Sequence, residues 1–420
     1  MHLLRLALAS LANRRATALL TVLAIALSSC LLLAVERVRS ETRSSFASTI
    51  SGTDLVVGAR SGAVNLLLYS VFRIGNATNN IRWDSYQQIA AMPRVKWAIP
   101  LSLGDSHRGY RVLGTSAAYF AHYRYGAQQP LRLAEGRAFE DMFEVVLGAE
   151  VADALGYRLG EEIVLAHGVS KISLTRHDDK PFRVAGILAR TSTPVDRTLH
   201  ISLAGMQALH VDWQHGMPAR GAARIDAEQA RQLDLQPQAI TAVLLGLDSR
   251  IATFAVQRAI NDHRGEPLLA ILPGVALQEL WSLMGTAEQA LLLVSACVVL
   301  VGLVGMLTAL LASLGERRRE MAILRSVGAR PWQVAGLLLA EALALTLAGL
   351  LFGLVLLYLA LATGQGWVQT HYGLYLPLAW PSRHEWLLLG ATLGAALLLG
   401  LLPAWRAYRQ SLTDGLTIRL

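Results

Sequence analysis

Cysteine is nearly missing from this sequence. Cys30 and Cys297 are the only two in 420 residues, and each sits inside a long apolar run. A disulfide framework and a thiol-rich metal motif are therefore excluded. Charge is also scarce: Asp, Glu, Lys and Arg make up 16% of residues, against 53% hydrophobic. That balance excludes an ordinary soluble protein of this size. Catalytic spacings are missing as well. There is no GxxxxGK[ST] phosphate loop, no HExxH, no GxSxG and no clustered Cys/His spacing. The sequence thus offers no catalytic centre, no cofactor site and no metal motif of its own. Energy-requiring work would have to draw on a partner or an ion gradient.

What is present is apolar sequence gathered in four places: about 16–35, 287–314, 334–362 and 385–405. Each is long enough to cross a hydrocarbon core of about 30 Å. Trp386 and Trp405 bracket the fourth run. Their separation corresponds to about 28 Å of helix, one hydrocarbon thickness, as interfacial anchoring expects. Tyr358, Trp367, Tyr372, Tyr375 and Trp380 crowd the connection between the third and fourth runs.

The net charge is +8, nearly all of it arginine. The arginines lie beside the apolar runs, so membrane topology explains them better than nucleic acid does. Arg5, Arg14 and Arg15 precede the first run; Arg317, Arg318, Arg319, Arg325 and Arg330 separate the second from the third; Arg406, Arg409 and Arg419 follow the fourth. With four spans these places share one side, and the positive-inside rule makes it the cytoplasm. Residues 36–286 then lie outside, in the periplasm if the membrane is a bacterial inner membrane. Arg37, Arg39 and Arg43 weaken the local bias, but long loops translocate largely regardless of charge. A signal peptide competes for the first run, and Leu27-Ser28-Ser29-Cys30 resembles a lipoprotein processing box. The apolar run continues to Val35, which favours an uncleaved helix. Residues 1–15 carry an apolar face of Leu4, Leu8 and Leu11, suited to the inner leaflet or to a cytoplasmic extension of the span.

The outer segment alternates short apolar runs with turn signals: DLVVGA from Asp54, RVLGT from Arg111, EVVLGA from Glu144, EIVLAH from Glu162 and FRVAGIL from Phe182. Helical stretches intervene from Ala149 and from Arg250. In the latter, Ile251, Phe254, Ala255 and Arg258 recur at helical spacing and predict the buried face. The fold class expected is a membrane protein with four transmembrane α-helices and a large α+β extracytoplasmic domain inserted between spans one and two. We expect a membrane-proximal unit of 36–105 with 238–286, and an inserted unit of 106–237. Residues 218–237 read as a linker or surface helix. A helix from Gly274 should run into span two.

The densest titratable cluster is Arg176-His177-Asp178-Asp179-Lys180, which reads as a solvated turn between strands rather than an acid/base or metal site. His200, His210 and His215 match no helical ligand pair. Glu341 is the carboxylate inside a span, about seven residues into span three. That is roughly 10 Å from the cytoplasmic end rather than at the midplane, which favours a structural or coupling role over a proton relay. The spans also lack the repeats and broken helices of secondary transporters. Gly349-x-x-x-Gly353 and Gly390-x-x-x-Gly394 permit close helix packing, expected within the chain.

The cytoplasmic loop 315–333 holds the most specific pattern. Glu316, Arg317, Arg318, Arg319, Glu320, Met321, Leu324 and Arg325 form a helix-favouring stretch closed by Gly328 and Pro331. Met321, Leu324 and Val327 give it a narrow apolar stripe. Spacing alone leaves two uses open: docking in a partner's groove, or lying on anionic headgroups. This run, followed by a span containing Glu341, resembles the signature of the FtsX-like permease family, in which R-x-x-E-x-A-x-L-R-A-x-G-A joins the second and third of four spans. Pro403-Ala404-Trp405-Arg406-Ala407-Tyr408-Arg409 resembles the family's P-A-x-R-A-x-R tail, and the outer pieces from Val145 and Phe182 are similar to its extracytoplasmic strands.

The resemblance implies a MacB-type ABC permease subunit without the fused ATPase. It implies a separate ABC ATPase carrying ATP and Mg, a second permease copy in a dimer, and a cytoplasmic helix at Glu316–Arg325 as the ATPase contact. A periplasmic adaptor with an outer-membrane channel, or a periplasmic substrate-binding protein, would complete the assembly. Efflux, lipoprotein extraction and control of a cell-wall hydrolase compete as uses, the last fitting a smaller outer domain. A passive membrane sensor or scaffold is the reading from a different class.

Overall fold

The computed structural model describes residues 14–168, 177–214, 217–218, 225–316, 323, 326, 328–372 and 376–409. The chain divides into two compact units. One gathers Met1–Glu41, Gly285–Gln369 and Tyr375–Leu420; the other gathers Thr42–Met284 and Thr370–Leu374.

Four helices are long and apolar enough to cross a membrane: Arg15–Thr49, Pro273–Leu314, Pro331–Val368 and Arg383–Arg409. They are spans one to four. Span one runs through Cys30 without a break and continues fourteen residues past the expected end at Val35. Its continuation is polar and helix-favouring, and Arg39 pairs with Glu36 one turn back at 2.9 Å. The second helix is unbroken from Pro273 to Glu316, so the helix expected from Gly274 into span two is present.

The first unit buries small and polar residues beside some of its leucines and turns many other leucines outward. Along span one, Thr21, Ile25, Ala26, Ser28, Ser29, Leu32 and Leu33 are buried, whereas Leu19, Leu20, Leu23, Leu27 and Leu31 are exposed. That is the inside-out pattern of helices packed in lipid, where backbones approach closely. A Cβ on Gly302 would sit 2.9 Å from the Ser28 hydroxyl, and one on Gly349 would meet Ile25 at 2.6 Å. A Cβ on Gly353 would collide with the Ser29 hydroxyl. Gly349 and Gly353 therefore pack span three on span one, within the chain. Gly390 and Gly394 face open space and make no such contact; their spacing satisfied the motif, but their side of span four meets no other helix of the described residues. Trp386, Trp405, Trp367 and Trp380 are all exposed, as interfacial anchors must be.

The second unit is α+β. Among the described residues, eleven strands form one sheet. From edge to edge its main path runs Leu268–Ile271, Leu55–Ala59, Ala242–Leu247, Val95–His107, Tyr110–Thr115, Thr198–Ser202, Glu144–Leu147, Phe182–Leu188 and Leu133–Gly136. Glu162–Ile163 pairs with Phe182–Leu188, and Ala166–His167 pairs with the end of Val95–His107. Two pairings are parallel, Thr198–Ser202 on Tyr110–Thr115 and Phe182–Leu188 on Glu144–Leu147. The five strand runs expected from sequence all enter this sheet. Val95–His107 is the long central strand: its first half pairs with Ala242–Leu247, and its second half pairs with Tyr110–Thr115 across an irregularity between Leu103 and Ser106. Beyond it Asp105, Ser106 and His107 are consecutively buried, so the alternation of an ordinary strand is interrupted there.

Helix Ala149–Leu155 ends on Gly156 at φ +72°, the left-handed conformation glycine adopts without strain. Within 218–237, helix Ala227–Arg231 starts with a capping box between Asp226 and Gln229. Helix Thr253–Asn261 forms where expected but buries a different face. Thr253, Val256 and Ile260 point inward, while Ile251 is 92% exposed and Phe254 70% exposed. Residues 250–252 are a 3₁₀ turn, which rotates Ile251 out of the helical register used to choose the face.

The turn after residue 176 also departs from expectation. It is not solvated throughout: His177 and Lys180 are buried, and the Lys180 ammonium donates to Asp212 at 2.9 Å. Asp179 lies 3.3 Å from the same ammonium. A charge with two carboxylate partners tolerates burial that an unpaired lysine would not.

Candidate functional site

The spans meet in a charged knot. Arg37 of span one faces Glu385, near the start of span four. Its Nε donates to Oε1 at 2.8 Å and Nη2 donates to Oε2 at 3.0 Å. Both side chains are buried. The remaining guanidinium nitrogen, Nη1, donates to the carbonyls of Pro377 and Ala379 at 3.1 and 3.2 Å. The Tyr358 hydroxyl donates to the same Ala379 carbonyl at 2.7 Å, and the Arg37 guanidinium lies 5.8 Å from the Tyr358 ring centre. One arginine thus ties span one to span four, and to the connection that leads into it.

Local sequence prepares Glu385 for this role. Ser382-Arg383-His384-Glu385 is an S-x-x-E capping box. The Glu385 amide donates to the Ser382 hydroxyl at 3.2 Å, and the Ser382 amide donates back to the Glu385 carboxylate at 2.5 Å. Nearby, Glu36 holds Arg39, which also reaches Glu288 of span two at 3.8 Å, and His384 approaches Glu36 at 3.8 Å. In the sequence Arg37 stands out only as a charge beside span one and Glu385 not at all, although the Ser382–Glu385 capping box is readable there.

The residues singled out from the sequence fare differently. Glu316 is the last described residue of the long second helix. Arg317, Arg318, Arg319, Glu320, Met321, Leu324 and Arg325 lie outside the described residues. Gly328 has φ +108°, a conformation open to glycine and strained for other residues, which suits a helix terminator. Glu341 is buried within span three, and the next turn of that helix carries Thr346, whose hydroxyl donates to the Ala342 carbonyl at 2.8 Å. At the cytoplasmic end Leu314, Val334, Leu338 and Ala407 form a small apolar cluster joining spans two, three and four.

One group in the second unit has metal-ligating chemistry. Asp105, His167, His177 and His210 place one donor atom each within 4.8 Å of one another. Burial would raise the Asp105 carboxyl, but hydrogen bonds to His167 and His210 outweigh it and hold the group at about 2. Burial pushes His177 down to about 4, so its ring is neutral near pH 7. His210 is shifted upward: burial opposes its charge, but the Asp105 carboxylate prevails. His200 lies elsewhere, fully buried against Tyr119, and burial lowers it to about 3. His215 lies outside the described residues.

Four spans with a large α+β unit inserted after the first define a multi-pass membrane protein with an extracytoplasmic domain. The chain matches the MacB-like periplasmic core domain over residues 17–262 and the FtsX-like permease C-terminal domain over residues 292–412. It belongs to this MacB/FtsX-like permease family, and membership makes it a permease rather than an enzyme. The inserted unit is accordingly periplasmic and the spans lie in the inner membrane. No curated protein matches the chain by sequence. Among solved structures it is similar to the periplasmic region of MacB from Actinobacillus actinomycetemcomitans, at 12% identity and TM-score 0.35, over 55% of this chain and 94% of that one. It is also similar to the extracellular domain of the noncanonic ABC-type transporter YknZ from Gram-positive bacteria, at 12% identity and TM-score 0.31, over 52% and 99%.

Proposed function

We propose that this permease transmits ATP-driven motion from a separate cytoplasmic ABC ATPase to its periplasmic domain, which exports or extracts a substrate. The observation that carries this reading is the second helix, unbroken from Pro273 to Glu316. At 1.5 Å per residue it is about 66 Å long, and it reaches into the charged cytoplasmic loop 315–333. A displacement received at Glu316–Arg325 would be passed along this helix. Glu341 would stiffen the receiving end. The ATP and Mg would be held by the partner, and a second permease copy would complete the membrane unit. A periplasmic adaptor with an outer-membrane channel, or a substrate-binding protein, would hand over the substrate.

We also propose that the periplasmic domain has two lobes, 36–105 with 238–286 and 106–237. Two apolar clusters support it: Leu55, Ile89, Val243 and Leu268 belong to one, and Val112, Phe143, Val184 and Leu209 to another; a third, with Val56, Ile99, Leu113 and Val146, joins the two lobes.

The test is co-purification of the partner ATPase. Glu320→Lys combined with Arg319→Glu should abolish it while the permease still inserts and folds. Undiminished co-purification sinks the assignment of this loop.

A further inference from the structure

Four side chains distant in sequence converge in the periplasmic domain, each from a different element. Asp105 sits near the end of the central strand Val95–His107. His167 closes the short strand Ala166–His167 paired beside it. His177 begins the turn to Lys180, and His210 ends the helix Leu203–His210. His167 Nδ1 lies 3.2 Å from Asp105 Oδ1 and 3.0 Å from His210 Nε2, and His210 Nε2 lies 3.5 Å from Asp105 Oδ1. We infer that Asp105, His167, His177 and His210 form a closed binding site for a zinc-type divalent transition-metal ion.

The hydrogen-bond pattern is the first argument. Asp105 Oδ2 and His177 Nε2 are buried and have no hydrogen-bond partner. A buried acceptor left without a donor is destabilising, and native proteins seldom keep two side by side without a reason. A cation would give His177 Nε2 a partner and, with the carboxylate turned toward it, Asp105 Oδ2 as well. His210 is oriented for the same task. Its Nδ1 lies 3.3 Å from the Met206 carbonyl, and its Nε2 is directed at Asp105 Oδ1 and His167 Nδ1; an ion would displace the proton that Nε2 shares with Asp105 and leave Nδ1 as the donor. Fixing a ligand's tautomer through its far nitrogen is how second-shell contacts prepare imidazoles for metals.

Geometry is the second argument. A tetrahedral ion with bonds of about 2.0–2.1 Å keeps its ligands roughly 3.3 Å apart. Three of the donor separations lie between 3.0 and 3.5 Å, and all fall within 4.8 Å. Side-chain rotation alone would close the remainder. Trp213 walls the group, with its ring 4.4 Å from that of His167, 4.9 Å from His210 and 5.6 Å from His177. His167 is 47% exposed and leaves an entry path.

Charge and donor type select the ion. The nearby Lys180 ammonium is neutralised by Asp212 and Asp179, so it does not repel a cation. Three imidazoles and one carboxylate favour Zn²⁺, Co²⁺ or Ni²⁺ over Mg²⁺ and Ca²⁺, which prefer oxygen ligands. Four protein ligands leave no open coordination position, so the ion would organise the domain or report its own concentration rather than do chemistry. This inference does not rest on the coupling mechanism proposed above.

The test uses the full chain in detergent, purified through a histidine-free tag, stripped with chelator and titrated with ZnCl₂ against a chromophoric competitor. One Zn²⁺ per chain should bind, raising the thermal unfolding midpoint. His177→Ala with His210→Ala should weaken binding at least a hundredfold. Co²⁺ in the unaltered protein should give the intense visible absorption of a tetrahedral site, so the inference stays testable if the double variant does not fold. Absence of stoichiometric Zn²⁺ binding, equal binding by a folded double variant, or only the weak spectrum of octahedral Co²⁺ would overturn it. A cluster that responds to pH but binds no ion would show a hydrogen-bonded histidine network instead, and would overturn it too.

Discussion

Arg37 and Glu385 stand 348 positions apart in sequence and share a two-pronged ion pair, with side chains 5% and 3% exposed. On the topology read from the arginines, both lie toward the periplasmic ends of their spans. The pair forms where the outgoing first helix and the returning fourth helix reach the same depth. Two parallel N–H···O bonds give it strength and orientation. Its burial makes each partner dependent on the other.

Removing one partner should therefore be costly. Arg37→Ala or Glu385→Ala alone should destabilise the protein by about 3–5 kcal/mol, because the charge left behind is buried and unpaired. Replacing both, as Arg37→Met with Glu385→Leu, should recover most of the loss. Denaturant or thermal unfolding of the detergent-solubilised protein measures this. Single variants as stable as the parent would show that the pair contributes little.

The two glycine pairs should behave differently. A side chain at Gly353 meets the Ser29 hydroxyl and the Ala26 backbone of span one, whereas one at Gly390 meets open space. Gly353→Leu should cost about 1–3 kcal/mol through overpacking. Gly390→Leu should leave the monomer's stability nearly unchanged. Comparing their unfolding midpoints checks the contact, and equal effects would contradict it.

Stability should also fall with acid through His200. Burial holds this ring at about 3 in the fold, below its ordinary 6.5. Below pH about 6.5 the unfolded chain takes up a proton that the folded one refuses. Folding then loses up to about 1.4 kcal/mol per pH unit from this group, until the folded ring itself titrates. Above pH about 6.5 both states are neutral and the term vanishes. The unfolding midpoint of His200→Gln should fall less steeply between about pH 6 and 4 than that of the parent, and identical slopes would remove His200 from the account.

The pattern of agreement has a physical basis. The spans were legible because transfer into lipid sums over neighbouring residues, so a run such as 16–35 declares itself locally. The strands from Asp54, Glu144 and Phe182 were legible because apolar residues between turn signals also act locally. The buried face of helix Thr253–Asn261 was misread because apolar residues occupied two faces, and only packing chose Val256 and Ile260 over Phe254. The turn at His177–Lys180 was misread for a related reason. Its charges looked solvated until the fold brought Asp212 to Lys180.

By itself, then, the amino-acid order determined the number of spans, their orientation, the α+β character of the inserted domain and the family signature at Glu316–Gly328. Those properties depend on composition within one helix or strand length. Tertiary structure decided that Arg37 meets Glu385, that Gly349 and Gly353 pack on span one while Gly390 and Gly394 do not, and that Asp105 joins three histidines. Such contacts arise only when separate elements bring particular faces together, and no local pattern records which faces those will be.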